Sequence, residues 1–238
     1  MASPMEAGWV SRYRHLILLI GVVALQIGQP LLAADSVVHR ILYDAVFAAV
    51  TVLVFFAIFL PLWQRGLALA LLLPAIAANV AHYFVSERSQ SAAAATFHLF
   101  SAAFLGFAVA VVLRDVLRRR SVRADDVLGG IAGWVLIGLI WGHLYALTDR
   151  LVPDSFNVSP QIAGQLSEWH SRRALFDYFS FTTLTSLGYG DITPTRAPAY
   201  TLAWLEVMVG GFYVAVIVAQ LVGMKLAQAV DRGGPGLR

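Results

Sequence analysis

Residues 183–194 read TLTSLGYGDITP, a stretch able to do chemistry with backbone atoms alone. Gly188 and Gly190 stand on either side of Tyr189, with Asp191 directly behind them. Glycine reaches positive φ without a Cβ penalty, so glycine at every second place lets the backbone alternate between left- and right-handed regions. That alternation turns successive carbonyls toward one axis. The carbonyls of Ser186, Leu187, Gly188 and Tyr189 can then replace the hydration shell of a bare cation, with the Ser186 hydroxyl at the innermost level. Such a loop needs a protein wall around it, because non-helical backbone at membrane depth survives only in protein or beside water.

The rest of the chain supplies that wall. Of 238 residues, 59% are hydrophobic and 13% charged. The mean hydropathy is +0.72, the composition of an integral membrane protein. Cysteine is absent, so disulfide and thiolate chemistry are excluded, and no basic run with interleaved aromatics suggests nucleic acid. A bilayer core about 30 Å thick takes roughly 20 apolar helical residues to cross. Six runs qualify: Leu16 to Ala34, Ile41 to Trp63, Gly66 to Val85, Ala92 to Leu113, Val127 to Leu147 and Pro198 to Leu226. A shorter stretch, Ala174 to Leu187, is too brief to span and reads as re-entrant. The expected fold is therefore all-α, six membrane helices with a pore helix and loop between the fifth and sixth.

Eleven of the 17 Lys and Arg residues fall in the segments that are inside if the amino terminus is cytoplasmic, which places both termini in the cytoplasm of a multi-pass cell-membrane protein. The alternative, a cleaved signal peptide ending at LLAAD, fits poorly because the first apolar run exceeds an ordinary signal core. The division that follows is a cytoplasmic segment at 1–15, a four-helix region at 16–123, a pore domain at 124–226 and a short tail at 227–238 whose Gly and Pro content reads as a frayed end. Ser171 is read as the N-cap of the short helix RRALFDYFSFTTL, and Pro194 as a block to renewed helix after the loop. The carboxyl end of that helix points beneath the loop and favours a cation there.

TLTSLGYGD followed by Pro194 resembles the signature T-x-T-T-V-G-Y-G-D of the prokaryotic potassium-channel family, over roughly Val127 to Met224. The resemblance implies that Thr185 closes the pore helix, that Ser186, Leu187, Gly188, Tyr189 and Gly190 form a selectivity filter, and that Asp191 braces its outer end. It implies a gating hinge at Gly210 or its neighbour Gly211, and a closed ring with three identical partner subunits. Potassium is the permeant ion, and no other cofactor is expected. Two positions depart from the pattern, Ser186 and Leu187 standing where the family has Thr then Val, so the filter is expected to be looser than the family average. Tyr178 and Phe179 stand where many members have a tryptophan pair, and Thr182 where some have a buried acid.

Six spans with one re-entrant loop is also the layout of voltage-gated channels. The fourth span nevertheless holds no arginine in the membrane field, and little intrinsic voltage sensing is expected. Arg114, Arg118, Arg119 and Arg120 lie at its cytoplasmic end as inside-positive anchors or contacts for anionic lipid. Asp44, His82 and His98 all fall near the outer surface, either as an interfacial hydrogen-bonded cluster or as an external pH sensor. His143 is expected to pack and hydrogen-bond against the pore helix. On the sixth span Val207, Gly211, Val214, Val218 and Val222 share an apolar face assigned to the cavity. Glu206, about 140° around from Gly211, turns instead toward Thr182, His143 or Tyr145 as filter support. Glu206, Gly210, Tyr213, Ile217 and Gln220 form a rival, more polar face. No G-x-S-x-G or H-E-x-x-H motif points to an enzyme, whereas a weakly selective cation channel and a non-conducting membrane sensor remain alternatives.

Overall fold

The computed structural model describes residues 13–32, 55, 56, 58, 61–82, 84–118, 123–166 and 169–233. In chain order the elements are α1 (Arg14–Leu32), α2 (Leu62–His82), α3 (Glu87–Arg118), α4 (Ala124–Leu151), β1 (Phe156–Val158), a 3-10 turn (Ala163–Leu166), α5 (Trp169–Leu184), β2 (Ile192–Pro194) and α6 (Ala197–Gly233). Among the described residues α2, α3, α4 and α6 are each long and apolar enough to cross a membrane. With 19 residues α1 reaches about 28 Å. Most of the expected second span lies outside the described residues.

Several boundaries differ from expectation for local reasons. Leu62 and Trp63, assigned by hydropathy to the second span, open α2 instead. Pro61 precedes them, and a helix start needs no N–H from proline. The short helix begins at Trp169 rather than after Ser171, which falls in its first turn, since neither Trp169 nor His170 breaks a helix. The expected frayed end past Leu226 is helical as far as Gly233, because nothing between Lys225 and Arg232 interrupts the backbone pattern. Pro74 is accommodated inside α2, as proline is in apolar helices with packed neighbours.

α4 is the hub, packing against α1, α3, α5 and α6. Lipid tails are as apolar as leucine, so helices in a membrane associate through close packing and polar contacts, which favours small residues at their interfaces. α4 carries such a row. A Cβ on Gly138 would stand 2.5 Å from the Phe181 ring of α5, and one on Gly133 would stand 2.5 Å from the Tyr213 hydroxyl of α6. Around this seam Leu18, Val22, Ala108, Val112, Ala132, Leu136 and Leu184 form one buried core. A second core, built on Tyr145, Phe176 and Phe179, lies under the β1–β2 ribbon.

Candidate functional site

α5 runs unbroken from Trp169 to Leu184, free of Gly and Pro, and ends against the loop at 185–190. The Ser186 N–H donates to Thr183 O at 2.8 Å and the Leu187 N–H to Thr182 O at 2.8 Å. Ser186 itself has φ of 59°. This is a Schellman cap with serine in the left-handed position usually given to glycine. A β-branched residue there would be a genuine outlier, so serine is cheaper at this position than the threonine of the family pattern. Thr185 reinforces the end, its Oγ1 donating to Phe181 O at 2.7 Å.

Beyond the cap the chain alternates. Gly188 has φ of 53° and Gly190 of 78°, so Ser186, Gly188 and Gly190 are positive while Leu187 and Tyr189 between them are not. Residues 185–190 are exposed on this chain, and no atom crowds the place of a Cβ on either glycine.

The outer end is held from three directions. Tyr178 Oη donates to Asp191 Oδ2 at 2.6 Å, and the Tyr178 and Tyr189 rings stack 7° from parallel with centroids 6.4 Å apart. Asp191 Oδ1 accepts the Ile192 N–H at 3.0 Å, and the Asp191 carbonyl accepts the Ser159 N–H at 2.8 Å. Antiparallel pairing of Phe156 with Pro194, Asn157 with Thr193 and Val158 with Ile192 fastens the chain after this loop to the segment between α4 and α5. Pro194 ends that strand, and helix resumes at Ala197. Phe179 is buried with its ring 4.8 Å from that of Tyr145.

Glu206 of α6 is fully buried. Its Oε2 accepts from Tyr145 Oη at 2.5 Å, and its Oε1 lies 2.5 Å from Ser180 Oγ. Ser180 Oγ is also 2.6 Å from Gly138 O. A hydroxyl has one proton to give, so both contacts are hydrogen bonds only when the carboxyl supplies the other. Of the partners expected for Glu206, Tyr145 is found there; Thr182 bonds its own helix at Phe179 O, 3.0 Å away. His143 hydrogen-bonds to α3. Its Nδ1 lies 2.9 Å from His98 Nδ1 on α3, beside the Phe97 ring. His98 is buried and partnered by His143; Asp44 lies outside the described residues and His82 is placed only as the last residue of α2, so the expected outer cluster falls outside what is described.

On α6, Val207, Val214, Val218 and Val222 are exposed, whereas Glu206, Gly210 and Ile217 are buried. Gly210 is a close approach: a Cβ there would stand 2.8 Å from the Leu184 carbonyl at the end of the pore helix. Gly211 faces open space. Arg114 and Arg118 are exposed at the end of α3; Arg119 and Arg120 lie outside the described residues. Sequence reasoning missed Ser180, the β ribbon and the α4 glycine row. The row was visible as glycines at 129, 130, 133, 138 and 142 in one span.

The family model for ion channels matches residues 166–227, the segment from the pore helix through most of α6. The chain is 31% identical to protein LctB of Bacillus caldotenax over 131 residues, which is 50% of this chain and 93% of that protein. No solved structure matches it. The chain belongs to one family with LctB, its residues 166–227 match an ion-channel domain, and its long apolar helices make it a membrane protein.

Proposed function

We propose that this chain is the subunit of a potassium-selective channel, four copies closing a ring so that their filter loops face one axis. The observation that carries the reading is the alternation of positive φ at Ser186, Gly188 and Gly190 on an exposed loop. It suits carbonyls of Ser186, Leu187, Gly188 and Tyr189 that take the place of water around K+. The ties on Asp191 support a filter held open from its outer end. The bare valine face of α6 is the surface for the cavity and the three partner copies, and Gly210 with Gly211 the place for α6 to bend. Arg114, Arg118, Arg119 and Arg120 anchor α3 at a cytoplasmic, anionic lipid surface, with both termini on that side of the cell membrane. With no arginine between Arg88 and Arg114 of α3, gating owes little to voltage.

Potassium and sodium flux into proteoliposomes tests this. Potassium flux well above sodium flux is the expected result. Equal flux would mark a weakly selective cation channel, and no flux of either ion would mark a non-conducting subunit; each of these overturns the proposal.

A further inference from the structure

At the other end of the bundle from the filter, α1, α3 and α4 meet in a polar cluster that the conduction path does not use. His15 is 2% exposed. Its Nδ1 lies 3.1 Å from the Asp125 carbonyl oxygen and 3.0 Å from Asp125 Oδ2. Both are acceptors, so this nitrogen carries the proton. Asp125 is anchored in turn, its Oδ1 accepting the Leu16 N–H at 3.2 Å. The other ring nitrogen, Nε2, then presents a lone pair, and 3.4 Å away it meets Asp115 Oδ2, a second acceptor. With the ring neutral, these two acceptors face each other beside Arg14, and a cation that both can bind would stabilise the pair.

Asp126 closes the third side, 1% exposed. One oxygen each from Asp115 and Asp126 and one nitrogen of His15 lie within 4.8 Å of one another. Ligand atoms sharing one ion at bonds near 2.1 Å stand about 3 to 4 Å apart, a spacing that small rotations of these side chains reach. Asp126 is held at the start of α4, where its Oδ2 accepts the Arg123 N–H at 2.8 Å. Asp115 also pairs with Arg14 and is 30% exposed, which leaves an approach from solvent. One imidazole with two carboxylates is neither the thiolate set of soft ions nor the all-oxygen set of Ca2+ and Mg2+.

We propose that His15, Asp115 and Asp126 bind a divalent transition-metal ion of the Mn2+ or Zn2+ class, which fastens α1 to the α3–α4 junction. The proposal stands apart from the ion selectivity of the pore, and its test needs no flux measurement. Purified full-length protein is titrated with Mn2+ alone and followed by electron paramagnetic resonance. Expected are loss of the free-ion signal equivalent to one Mn2+ per chain, nitrogen coupling from a bound imidazole, and displacement by Zn2+ but not by equal Mg2+. His15→Gln should remove the nitrogen coupling and weaken binding about tenfold or more. Asp115→Asn, at the partly exposed position, should weaken binding similarly with the fold intact. An undiminished free Mn2+ signal, displacement by Mg2+ as readily as by Zn2+, or binding unchanged in both variants overturns the proposal.

Discussion

α4 and α6 both pack against α5 and are both apolar along their length, yet the chain treats them differently. Most of α4 is buried by α1, α3, α5 and α6, and its glycine row lets those neighbours come close. Almost all of α6 is bare, with contact confined to a stripe through Glu206, Gly210 and Ile217. One helix is completed within the chain and the other is left open beside it, a contrast that the proposed ring would use. In that ring the open helix meets the ion path and the neighbouring copies.

The sharpest way to break this contrast is to fill a glycine on each helix. Gly138→Leu drives a side chain into the Phe181 ring and should cost about 3 kcal/mol in thermal unfolding of the detergent-solubilised protein. Gly211→Ala meets open space and should gain about 0.5 kcal/mol or more from helix propensity. Equal effects on the two helices would end the distinction.

Next in size is the Glu206 tie that joins α6 to α4 and α5. Glu206→Ala leaves Tyr145 and Ser180 buried without their partner and should cost about 2 kcal/mol. Glu206→Gln can still accept from Tyr145 and donate to Ser180, so unfolding should move little. If Glu206→Gln instead altered conductance and internal polyamine block while stability held, Glu206 would belong to the cavity.

Val218→Trp tests the bare side. It should leave unfolding of the chain within about 0.5 kcal/mol, because the site is exposed, while flux through liposomes falls sharply. The smaller effects lie at the filter's two ends. Tyr178→Phe removes the donor to Asp191 and should cost about 1 kcal/mol, seen as weaker potassium over sodium discrimination in a bi-ionic reversal potential. Ser186→Gly should relieve about 1 kcal/mol of left-handed strain and raise the unfolding temperature, whereas Ser186→Thr should lower it.

What the sequence made legible follows the same division. Gly188 and Gly190 announced their backbone geometry because glycine spacing encodes φ directly. Tyr145 was reachable as a partner of Glu206 because helix phase gives direction around an axis. Ser186 was different: its positive φ comes from the ending of α5, a property of the helix and not of serine. Ser180 was hidden in the aromatic run FDYFSFTTL, where a single hydroxyl changes no pattern. The pairing of His98 with His143 was illegible because hydropathy gives each residue a depth and says nothing of which helices adjoin. Strands of three residues, as in β1 and β2, are too short for alternation to register.

The cap at Ser186 ties two lengths together. The residue that terminates α5 is also the first rung of the alternating loop, so neither can change size alone. Unwinding the last turn of the helix would withdraw the Thr182 and Thr183 carbonyls that hold the Ser186, Leu187 and Gly188 amides, and the lowest rung would drift. Winding one residue more would consume that rung. The inner end of the loop is therefore only as steady as a single turn of helix, and wear in this molecule should begin there.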